Sequence, residues 1–265
     1  MDFNFKKKYG QNFLKDKNLL AQIVGFSKAD KTTHVLEIGP GAGALTKEIA
    51  KVAGSVVAVE IDRDLEPVLK KNLEGISNCG IVFGDFLKME EDKIQELVGE
   101  NYLVVANLPY YITTPILFKF FEMKNKPKSL TIMVQKEYGE RMIAKCGGHE
   151  YNSLSALSSL LGNAKIVKYV PKEMFTPMPK VDSCVVHFQF NNNNLDSAQA
   201  AFIRNCFSMK RKTLVNNLSH AYGVDKQKLG QIFSNVNISP MARAEEIDVH
   251  DLLKVFNELN VCGVH

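Results

Sequence analysis

Short β-type runs alternate with helix-compatible segments along the first half of the chain, and no other feature constrains the fold as strongly. The runs comprise residues 35–38, 55–60, 80–83, 102–106 and 130–135. Strands separated by helices form βαβ units, in which the strands are parallel and the helices cover the sheet. The chain is therefore predicted to form a parallel α/β sheet.

Two further β-rich runs follow at residues 164–170 and 183–190, after predicted helices at 136–145 and 153–161. The link at residues 171–182 contains three prolines and cannot form a crossover helix, so the last strand is expected to be antiparallel. Seven strands with a reversed last strand describe the Rossmann-like sheet of class I S-adenosylmethionine-dependent methyltransferases better than a dehydrogenase sheet. We therefore predict that methyltransferase fold.

Four consecutive asparagines, residues 191–194, form neither a good helix nor a good strand and mark the expected domain boundary. We predict a catalytic domain at residues 1–190, including a basic N-terminal arm, and a small all-α domain at residues 191–265. Apolar residues recur at helical spacing in four predicted helices of the second domain, at 198–209, 212–222, 225–235 and 250–259.

The 265 residues carry a net charge of +4, which permits nucleic-acid binding without requiring it. No apolar run approaches the length of a membrane span, and the basic start lacks the apolar stretch of a secretory signal. The five cysteines are scattered and show no metal-ligand spacing. We expect a cytoplasmic protein without membrane contacts, with reduced cysteines and no bound metal.

A strand, a glycine turn and a helix in succession indicate a ligand site. The turn contains Gly39 and Gly41 in Gly-x-Gly-x-Gly spacing, which favours S-adenosylmethionine over a dinucleotide. Glu60 ends the next strand, where a carboxylate can accept both ribose hydroxyls. Asp85 follows the third strand and can accept from an adenine amine, with Phe86 beside it. Each feature has a structural alternative: the glycines can form a tight turn only, Glu60 can be a surface glutamate, and Asp85 can be a helix N-cap.

The fourth strand ends in the tetrapeptide Asn107-Leu108-Pro109-Tyr110, which combines an amide, two carbonyls and an aromatic ring. An exocyclic adenine amine is a poor nucleophile, so an enzyme that alkylates it must accept its N–H hydrogens and hold the base rigidly. Asn107 Oδ1 and a carbonyl of Leu108 or Pro109 can accept them. The Tyr110 ring can stack on the base. A Pro-containing turn is the alternative.

Two basic clusters are candidates for binding RNA phosphates. They comprise Lys6, Lys7 and Lys8 in the N-terminal arm, and Lys210, Arg211 and Lys212 in the predicted helical domain. Either cluster alone can be an ordinary solvated face. Two clusters in a chain that also carries a base-sized pocket favour RNA binding.

Four motifs, in order, resemble those of the ribosomal RNA adenine dimethyltransferases, and the resemblance covers nearly the whole chain. They are Gly10-Gln11-Asn12-Phe13-Leu14, Glu37-Ile38-Gly39-Pro40-Gly41-Ala42-Gly43, Asn107-Leu108-Pro109-Tyr110 and Phe175-Thr176-Pro177-Met178-Pro179-Lys180-Val181-Asp182-Ser183. Residues 209–218 and 243–247 are similar to the housekeeping branch, which dimethylates two adjacent adenosines near the 3′ end of small-subunit (16S) RNA. The competing Erm branch modifies large-subunit RNA.

The resemblance implies S-adenosylmethionine as the methyl donor and the small ribosomal subunit as partner, and we expect a monomer. It implies cofactor contacts at Asn12, Leu14, Gly39, Glu60, Asp85 and Asn107. To these we add Gly41, Ile61 and Phe86 as further expected contacts. The target adenine would lie between Tyr110 and Phe175. The domain at residues 191–265 would bind RNA or the ribosome.

Three alternatives remain open at this point. An Erm-type enzyme would act on large-subunit RNA, and a non-catalytic RNA-binding protein would keep the same sheet and basic clusters. A DNA adenine methyltransferase would use a related Asn-Pro-Pro-aromatic motif. Leu108 in place of the first proline counts against this alternative.

Tyr111 stands where many family members have asparagine, which leaves the fine positioning of the substrate open.

Overall fold

The computed structural model describes residues 13–14 and 16–263. Nine strands lie within these residues, and seven of them form one sheet. The strands are β1 Phe13–Leu14, β2 His34–Ile38, β3 Ser55–Glu60, β4 Cys79–Phe83, β5 Tyr102–Asn107, β6 Ser129–Gln135, β7 Gly162–Val170, β8 Phe175–Thr176 and β9 Ser183–Phe190. Every predicted β-type run lies in a strand of the sheet, although β7 begins two residues earlier than expected.

The strand order in the sheet is β4-β3-β2-β5-β6-β9-β7. Strands β2 to β6 are parallel, and β9 pairs antiparallel with β6, with Val185 opposite Met133. This confirms the predicted seven-stranded methyltransferase sheet with its reversed last strand. Because β3 and β5 lie on opposite sides of β2, the strand order reverses there. Ligands of such sheets bind outside the carboxyl ends of the strands at this reversal.

The described chain forms two compact units, each with its own core. The first unit contains the described residues up to Gly139 together with Ala164–Phe190. Its helices, the last of which runs on into the second unit, are α1 Lys17–Ser27, α2 Ala44–Val52, α3 Glu66–Asn72, α4 Glu91–Val98, α5 Thr113–Glu122 and α6 Lys136–Met142. The predicted helix at 136–145 is thus three residues shorter than expected.

One face of the sheet is covered by α1 and α2. Ile23 of α1 and Ile49 of α2 are fully buried in one hydrophobic cluster with Val35 of β2 and Val105 of β5. Helical residues four apart lie on one face, which brings Leu19 into the same cluster as Ile23. Burying each such side chain contributes about 1.5–3 kcal/mol. This core holds the ends of β2 and β5, where the candidate site lies.

The second unit comprises residues 140–163 and the described residues from Asn191 onward. Its helices are α7 Ser153–Leu161, α8 Ser197–Cys206, α9 Leu214–Tyr222, α10 Lys226–Asn235 and α11 Val249–Val261. The predicted domains 1–190 and 191–265 differ from these units by one segment, because 140–163 was expected in the first domain. The reason is that α7 packs against α8 and α11 and buries Leu157 and Leu161 completely.

The asparagine run at residues 191–194 is hydrogen-bonded to the end of α7 and is not a loose linker. The Asn191 backbone N–H donates to the Leu161 carbonyl at 2.9 Å. The Asn191 and Asn193 side-chain amides donate to the Leu160 carbonyl at 3.0 and 2.8 Å. The last carbonyls of a helix have no partner within the helix, so these asparagines cap α7.

Among the described helices, none combines the length and the apolar character needed to cross a membrane. Within the same part of the chain, no group of three or more His, Cys, Asp or Glu side chains is arranged to hold a metal ion. The five cysteines are free thiols, and Cys184 and Cys206 are buried.

Candidate active site

Two adjoining clefts open at the carboxyl ends of β2, β3, β4 and β5, where the strand order reverses. Their volumes, open mouths included, are about 660 and 540 Å³. Predicted site residues in the first cleft are Leu14, Asn107, Leu108 and Tyr110, those in the second cleft are Glu60, Ile61, Asp85 and Phe86, and those in both are Gly39, Gly41 and Pro109.

Gly39 and Gly41 form part of the wall that the two clefts share. Their φ angles are +69° and +57°, in the left-handed region that residues with a Cβ rarely adopt. The Gly39 N–H donates to the Val59 carbonyl at 2.9 Å, which ties the turn to β3. Ala44 and Leu45 at the start of α2 also line the first cleft. The glycine turn therefore brings backbone, without side chains, to the surface of the site.

Glu60 at the end of β3 is buried and held by two backbone groups. Its Oε2 accepts the Gly41 N–H at 3.1 Å, and its Oε1 accepts the Asp62 N–H at 2.9 Å. Burial raises the pKa of Glu60, while these hydrogen bonds oppose the rise. Each carboxylate oxygen can accept two hydrogen bonds, so the fixed carboxylate retains capacity for ligand hydroxyls.

Asp85 is an N-cap, the alternative role that its sequence position suggested, and it also lies at the candidate site. Its Oδ1 accepts the Leu87 N–H at 3.0 Å and caps the short 3₁₀ turn Phe86–Lys88, and the same residue lines the second cleft. Phe86 is buried, with its ring centroid 5.3 Å from that of Phe120. The turn therefore fixes a carboxylate and an apolar wall side by side.

Two exposed apolar side chains flank the second cleft. Ile61 is 44 % exposed and follows Glu60 directly, and Tyr111 is 53 % exposed. Large apolar side chains at the mouth of a pocket offer flat surface to a ring-shaped ligand. Tyr111, noted in the sequence only as a departure from the family pattern, therefore belongs to the lining of this cleft.

Glu37 is a site residue that the sequence prediction missed. It lies in β2, is 1 % exposed and lines the first cleft. Its Oε2 has no hydrogen-bond partner among the described residues. Burial raises the pKa of Glu37 to about 8, opposed by the Thr46 hydroxyl and assisted by the Glu60 charge. The available signal was a carboxylate within an apolar strand directly before a glycine turn, where perturbed groups often mark a functional site.

The tetrapeptide Asn107-Leu108-Pro109-Tyr110 lines the first cleft, with Asn107 half-buried at the end of β5. The buried Leu108 donates its N–H to the Met133 carbonyl at 3.2 Å. The Pro109 carbonyl already accepts the Ile112 N–H and the Thr113 hydroxyl, both at 3.1 Å. Of the two carbonyls predicted to face a ligand, that of Leu108 is therefore the better acceptor.

Tyr110 is anchored by β9. Its hydroxyl lies 2.8 Å from the Ser183 hydroxyl, and burial raises the pKa of the Tyr110 phenol. Phe175, predicted to face Tyr110, is 4 % exposed in the hydrophobic core, and its backbone pairs with Leu14 across β1 and β8. Leu14 lines the first cleft, whereas Phe175 is not among the described residues that do. The β1–β8 pairing therefore joins Leu14 at the cleft to Phe175 in the core.

The second basic cluster lies in the turn between α8 and α9, in the second unit. Lys210, Arg211 and Lys212 are all exposed there, and we call residues 208–213 the basic turn. The helix α9 begins at Leu214, two residues later than predicted, because the Thr213 hydroxyl accepts the Asn216 N–H. The remaining predicted residues, Lys6, Lys7, Lys8 and Asn12, lie outside the described residues.

Comparison with known proteins bears on the whole chain. A family model described as ribosomal RNA adenine dimethylase matches residues 2–261. A ribosomal RNA small subunit methyltransferase A from Mycoplasma mobile is 42 % identical over 263 residues, covering 98 % of this chain and 100 % of that protein. The protein of the same name from Bacillus mycoides is 40 % identical over 268 residues, covering 97 % and 92 %.

Two solved structures share the fold. A dimethyladenosine transferase from Plasmodium falciparum has a TM-score of 0.79 at 29 % identity, covering 96 % of this chain and 99 % of that one. The 23S rRNA methyltransferase ErmE has a TM-score of 0.67 at 25 % identity, covering 94 % and 100 %. The strand order, the two clefts and these matches agree. The chain belongs to the ribosomal RNA adenine dimethylase family and has its Rossmann-like methyltransferase fold.

Proposed function

We propose that this protein transfers methyl groups from S-adenosylmethionine to the exocyclic amines of two adjacent adenosines near the 3′ end of small-subunit (16S) ribosomal RNA, giving N6-dimethyladenosines during small-subunit biogenesis. One observation carries the proposal. A tetrapeptide suited to an adenine lines one cleft, two carboxylates suited to a nucleoside line the other, and Gly39 and Pro109 belong to both. The names of the relatives from Mycoplasma mobile and Bacillus mycoides support a small-subunit RNA substrate.

The side chains of the two clefts fit S-adenosylmethionine. In the second cleft, Glu60 would accept the ribose hydroxyls and Asp85 the adenine amine, with Ile61 and Phe86 as apolar surface. In the first cleft, the buried Glu37 oxygen without a partner would accept from the cationic amino group. Hydrogen bonds to charged groups are the stronger kind, so Glu37, Glu60 and Asp85 would contribute most of the polar recognition.

When bound, S-adenosylmethionine supplies a methyl group on a positively charged sulfur. The protein must then align the attacking amine and exclude water, and no strong general base is required. Leu14, Leu45 and Leu108 are buried side chains on the first cleft and keep it apolar. The absence of an ionisable side chain from Asn107-Leu108-Pro109-Tyr110 fits this chemistry.

The first cleft would hold the target adenine through two acceptors and a ring. Asn107 Oδ1 and the Leu108 carbonyl would accept the two amine hydrogens, and Tyr110 would stack on the base. The Ser183 hydroxyl fixes the Tyr110 ring by its far end. Sandwiching the base between Tyr110 and Phe175 would require Phe175 to leave its buried position beside Leu14, so Tyr110 is the supported stacking residue.

The other predicted roles rest on charge. Lys6, Lys7 and Lys8, together with the basic turn, would bind RNA phosphates, giving affinity that falls with salt and carries little sequence choice. The second unit would contribute RNA or ribosome binding. A monomeric state and a cytoplasmic location remain predictions from the sequence.

Two other functions would use the same fold. An Erm-type enzyme would methylate large-subunit RNA, and the ErmE structure shares the fold at a lower TM-score than the dimethyladenosine transferase. A non-catalytic RNA-binding protein would have no need of cofactor-binding side chains. The retained Glu60, Asp85 and Asn107 argue against that second function.

The test is a methyl-transfer assay with purified protein, S-adenosylmethionine and three substrates: unmethylated small subunits, fully methylated small subunits and large subunits. We expect two dimethyladenosines near the 3′ end of 16S RNA, located by mass spectrometry, and no transfer to the other two substrates. Transfer to large subunits would instead support the Erm-type function. Cofactor binding by calorimetry without transfer to any substrate would contradict both enzymatic functions.

A further inference from the structure

An exposed tyrosine at the edge of the sheet takes no part in the core or in either cleft. Tyr169 is the penultimate residue of β7, an edge strand of the seven-stranded sheet, and it is 54 % exposed. The Lys136 ammonium lies 5.8 Å from its ring centroid, within the range of a cation–π contact. The next residue, Val170, is buried in the core and fixes the end of the strand. The ring is therefore held in place while much of it faces solvent.

Lys136 connects this ring to the candidate base site through backbone hydrogen bonds. The Asp182 carbonyl accepts the Lys136 N–H at 2.9 Å, and Asp182 Oδ1 accepts the Lys172 N–H at 3.1 Å. The residue after Asp182 is Ser183, whose hydroxyl lies 2.8 Å from that of Tyr110. Lys136, which contacts the Tyr169 ring, and Tyr110 thus both bind the same short segment at the start of β9.

Lysines outnumber carboxylates by four to three in the segments around Tyr169. Exposed or half-buried lysines in the adjoining segments are Lys136, Lys168, Lys172 and Lys180. Carboxylates in the same segments are Glu137, Glu173 and Asp182, and Asp182 is engaged by the Lys172 backbone. Aromatic rings interleaved with basic side chains are the usual surface for single-stranded nucleic acid.

We propose that Tyr169 and Lys136 form a stacking site for a nucleobase of single-stranded RNA that flanks the adenosine held at Tyr110. This proposal rests on the proposed function and adds a second base-binding position to it. A base turned out of its stack leaves its neighbours with uncovered faces, and a ring beside the pocket replaces part of the lost stacking. Duplex RNA does not offer such a face, because its bases are stacked on both sides. The Lys136 ammonium would hold the ring and attract the adjoining phosphate.

The first test compares Tyr169→Ala and Tyr169→Phe with the wild type in the methylation assay on small subunits. We expect Tyr169→Ala to raise KM for the RNA by about 5- to 150-fold with kcat and cofactor affinity unchanged, as loss of one stacked base predicts. Tyr169→Phe should behave as wild type, because it keeps the ring. Val52→Ala, an exposed apolar position at the end of α2, serves as the control and should change neither constant.

The second test detects stacking directly and does not depend on methyl transfer. An RNA oligonucleotide with the sequence around the target carries 2-aminopurine at the flanking position, and its fluorescence should be quenched on binding wild type and Tyr169→Phe but not Tyr169→Ala. Wild-type KM in Tyr169→Ala, or quenching that persists in it, would overturn the stacking site while the proposed function stands. Quenching that depends on Tyr169 without any methylation by the wild type would instead overturn the proposed function and support the stacking site.

Discussion

The two clefts of the first unit and the basic turn of the second hold their functional groups in different ways. In the clefts, the two predicted carboxylates are fixed by backbone, Glu60 by two N–H groups and Asp85 by one. In the basic turn, the charged groups themselves are exposed, and a single buried side chain, Asn217, fixes the turn that carries them.

Asn217 makes four hydrogen bonds to the basic turn. Its Oδ1 accepts the Ser208 hydroxyl at 3.1 Å and the Met209 N–H at 2.7 Å. Its Nδ2 donates to the Met209 and Thr213 carbonyls at 3.4 and 3.3 Å. Arg211 has a φ of +66°, which a residue with a side chain adopts only when its surroundings hold it there. A reaction site needs fixed atoms, whereas a phosphate-binding surface needs only its charges in the right region.

The largest effect is expected at the clefts. Asn107→Ala should lower kcat by about 100-fold or more, because the amine is then no longer aligned, while RNA affinity stays unchanged. Single-turnover methylation and RNA binding, measured separately, check the two halves of this prediction. Asn101→Ala, at an exposed position just before the same strand, is the control and should leave both unchanged. Intact single-turnover methylation in Asn107→Ala would remove Asn107 from the reaction.

The next largest effect is expected at the basic turn. Replacing Lys210, Arg211 and Lys212 together by Gln should weaken RNA binding and reduce the slope of log affinity against log salt by about 2, since each contact with single-stranded RNA contributes about 0.7. The methylation rate at saturating RNA should not change. Titrations at several salt concentrations check both statements.

A matched control removes the same three charges elsewhere. Lys51, Lys70 and Lys93 each form an ion pair with a glutamate of their own helix in the first unit. Their replacement by Gln should leave the salt slope almost unchanged. Equal slopes in both triple variants would mean that net charge, and not the basic turn, determines RNA affinity.

A smaller effect is expected when the turn keeps its charges but loses its anchor. Asn217→Ala leaves the Met209 N–H without its partner, while the Ser208 hydroxyl keeps the Asn205 carbonyl as acceptor at 2.9 Å. One unpaired N–H should lower the free energy of unfolding by about 1–3 kcal/mol. RNA affinity should fall less than in the triple variant, with cofactor affinity unchanged. In the triple-variant background, Asn217→Ala should have no further effect on RNA affinity, and an additive effect would show that Asn217 acts independently of the turn.

The smallest effect concerns the proton on Glu37. With its pKa raised to about 8, Glu37 is mostly protonated at pH 7, and binding a cationic amino group would ionise it. Calorimetry at pH 7 in buffers of different ionisation enthalpy should therefore detect release of close to one proton per cofactor, and none in Glu37→Gln. Affinity should tighten as pH rises from 7 to 8. Equal proton release in both proteins would contradict the role of Glu37.

The same carboxyl links pH to stability in the cofactor-free protein. Because the folded pKa lies above the ordinary value of 4.5, the folded state keeps a proton that the unfolded chain loses. Its stabilising contribution is full below pH 4.5 and is lost as pH rises toward 8, at no more than about 1.4 kcal/mol per pH unit. Glu37→Gln should remove this slope from denaturant titrations.

Local sequence pattern was sufficient to predict the sheet. It was insufficient to predict which helix belongs to which unit. The reversed last strand could be predicted because the three prolines at residues 171–182 prevent this link from forming a crossover helix. The assignment of α7 to the second unit could not be predicted, because its apolar residues fit a sheet or another helix equally well. The buried position of Phe175 could not be predicted either, since a pairing as short as β1 with β8 leaves no periodic pattern in the sequence.

At the site, the residues that stand out as polar at strand ends were predictable, and those that act from within strands were not. Glu60, Asp85 and Asn107 each follow an apolar run, and parallel strands bring such positions to one edge. Glu37 lies within a strand, and only the structure shows that it is buried with an unpartnered oxygen. Ser183 likewise gains meaning only from its contact with Tyr110.

The pairing of β1 with β8 joins only Phe13–Leu14 to Phe175–Thr176. So short a ladder separates at low free-energy cost compared with the seven-stranded sheet, whose strands share one core. Leu14 is nevertheless buried in the same hydrophobic cluster as Ile23 and Ile49, so opening this ladder would uncover part of that core. One side chain is thus both a wall of the binding cleft and a part of the folding core, so a substitution at Leu14 that widens the cleft also removes apolar contacts that stabilise the domain.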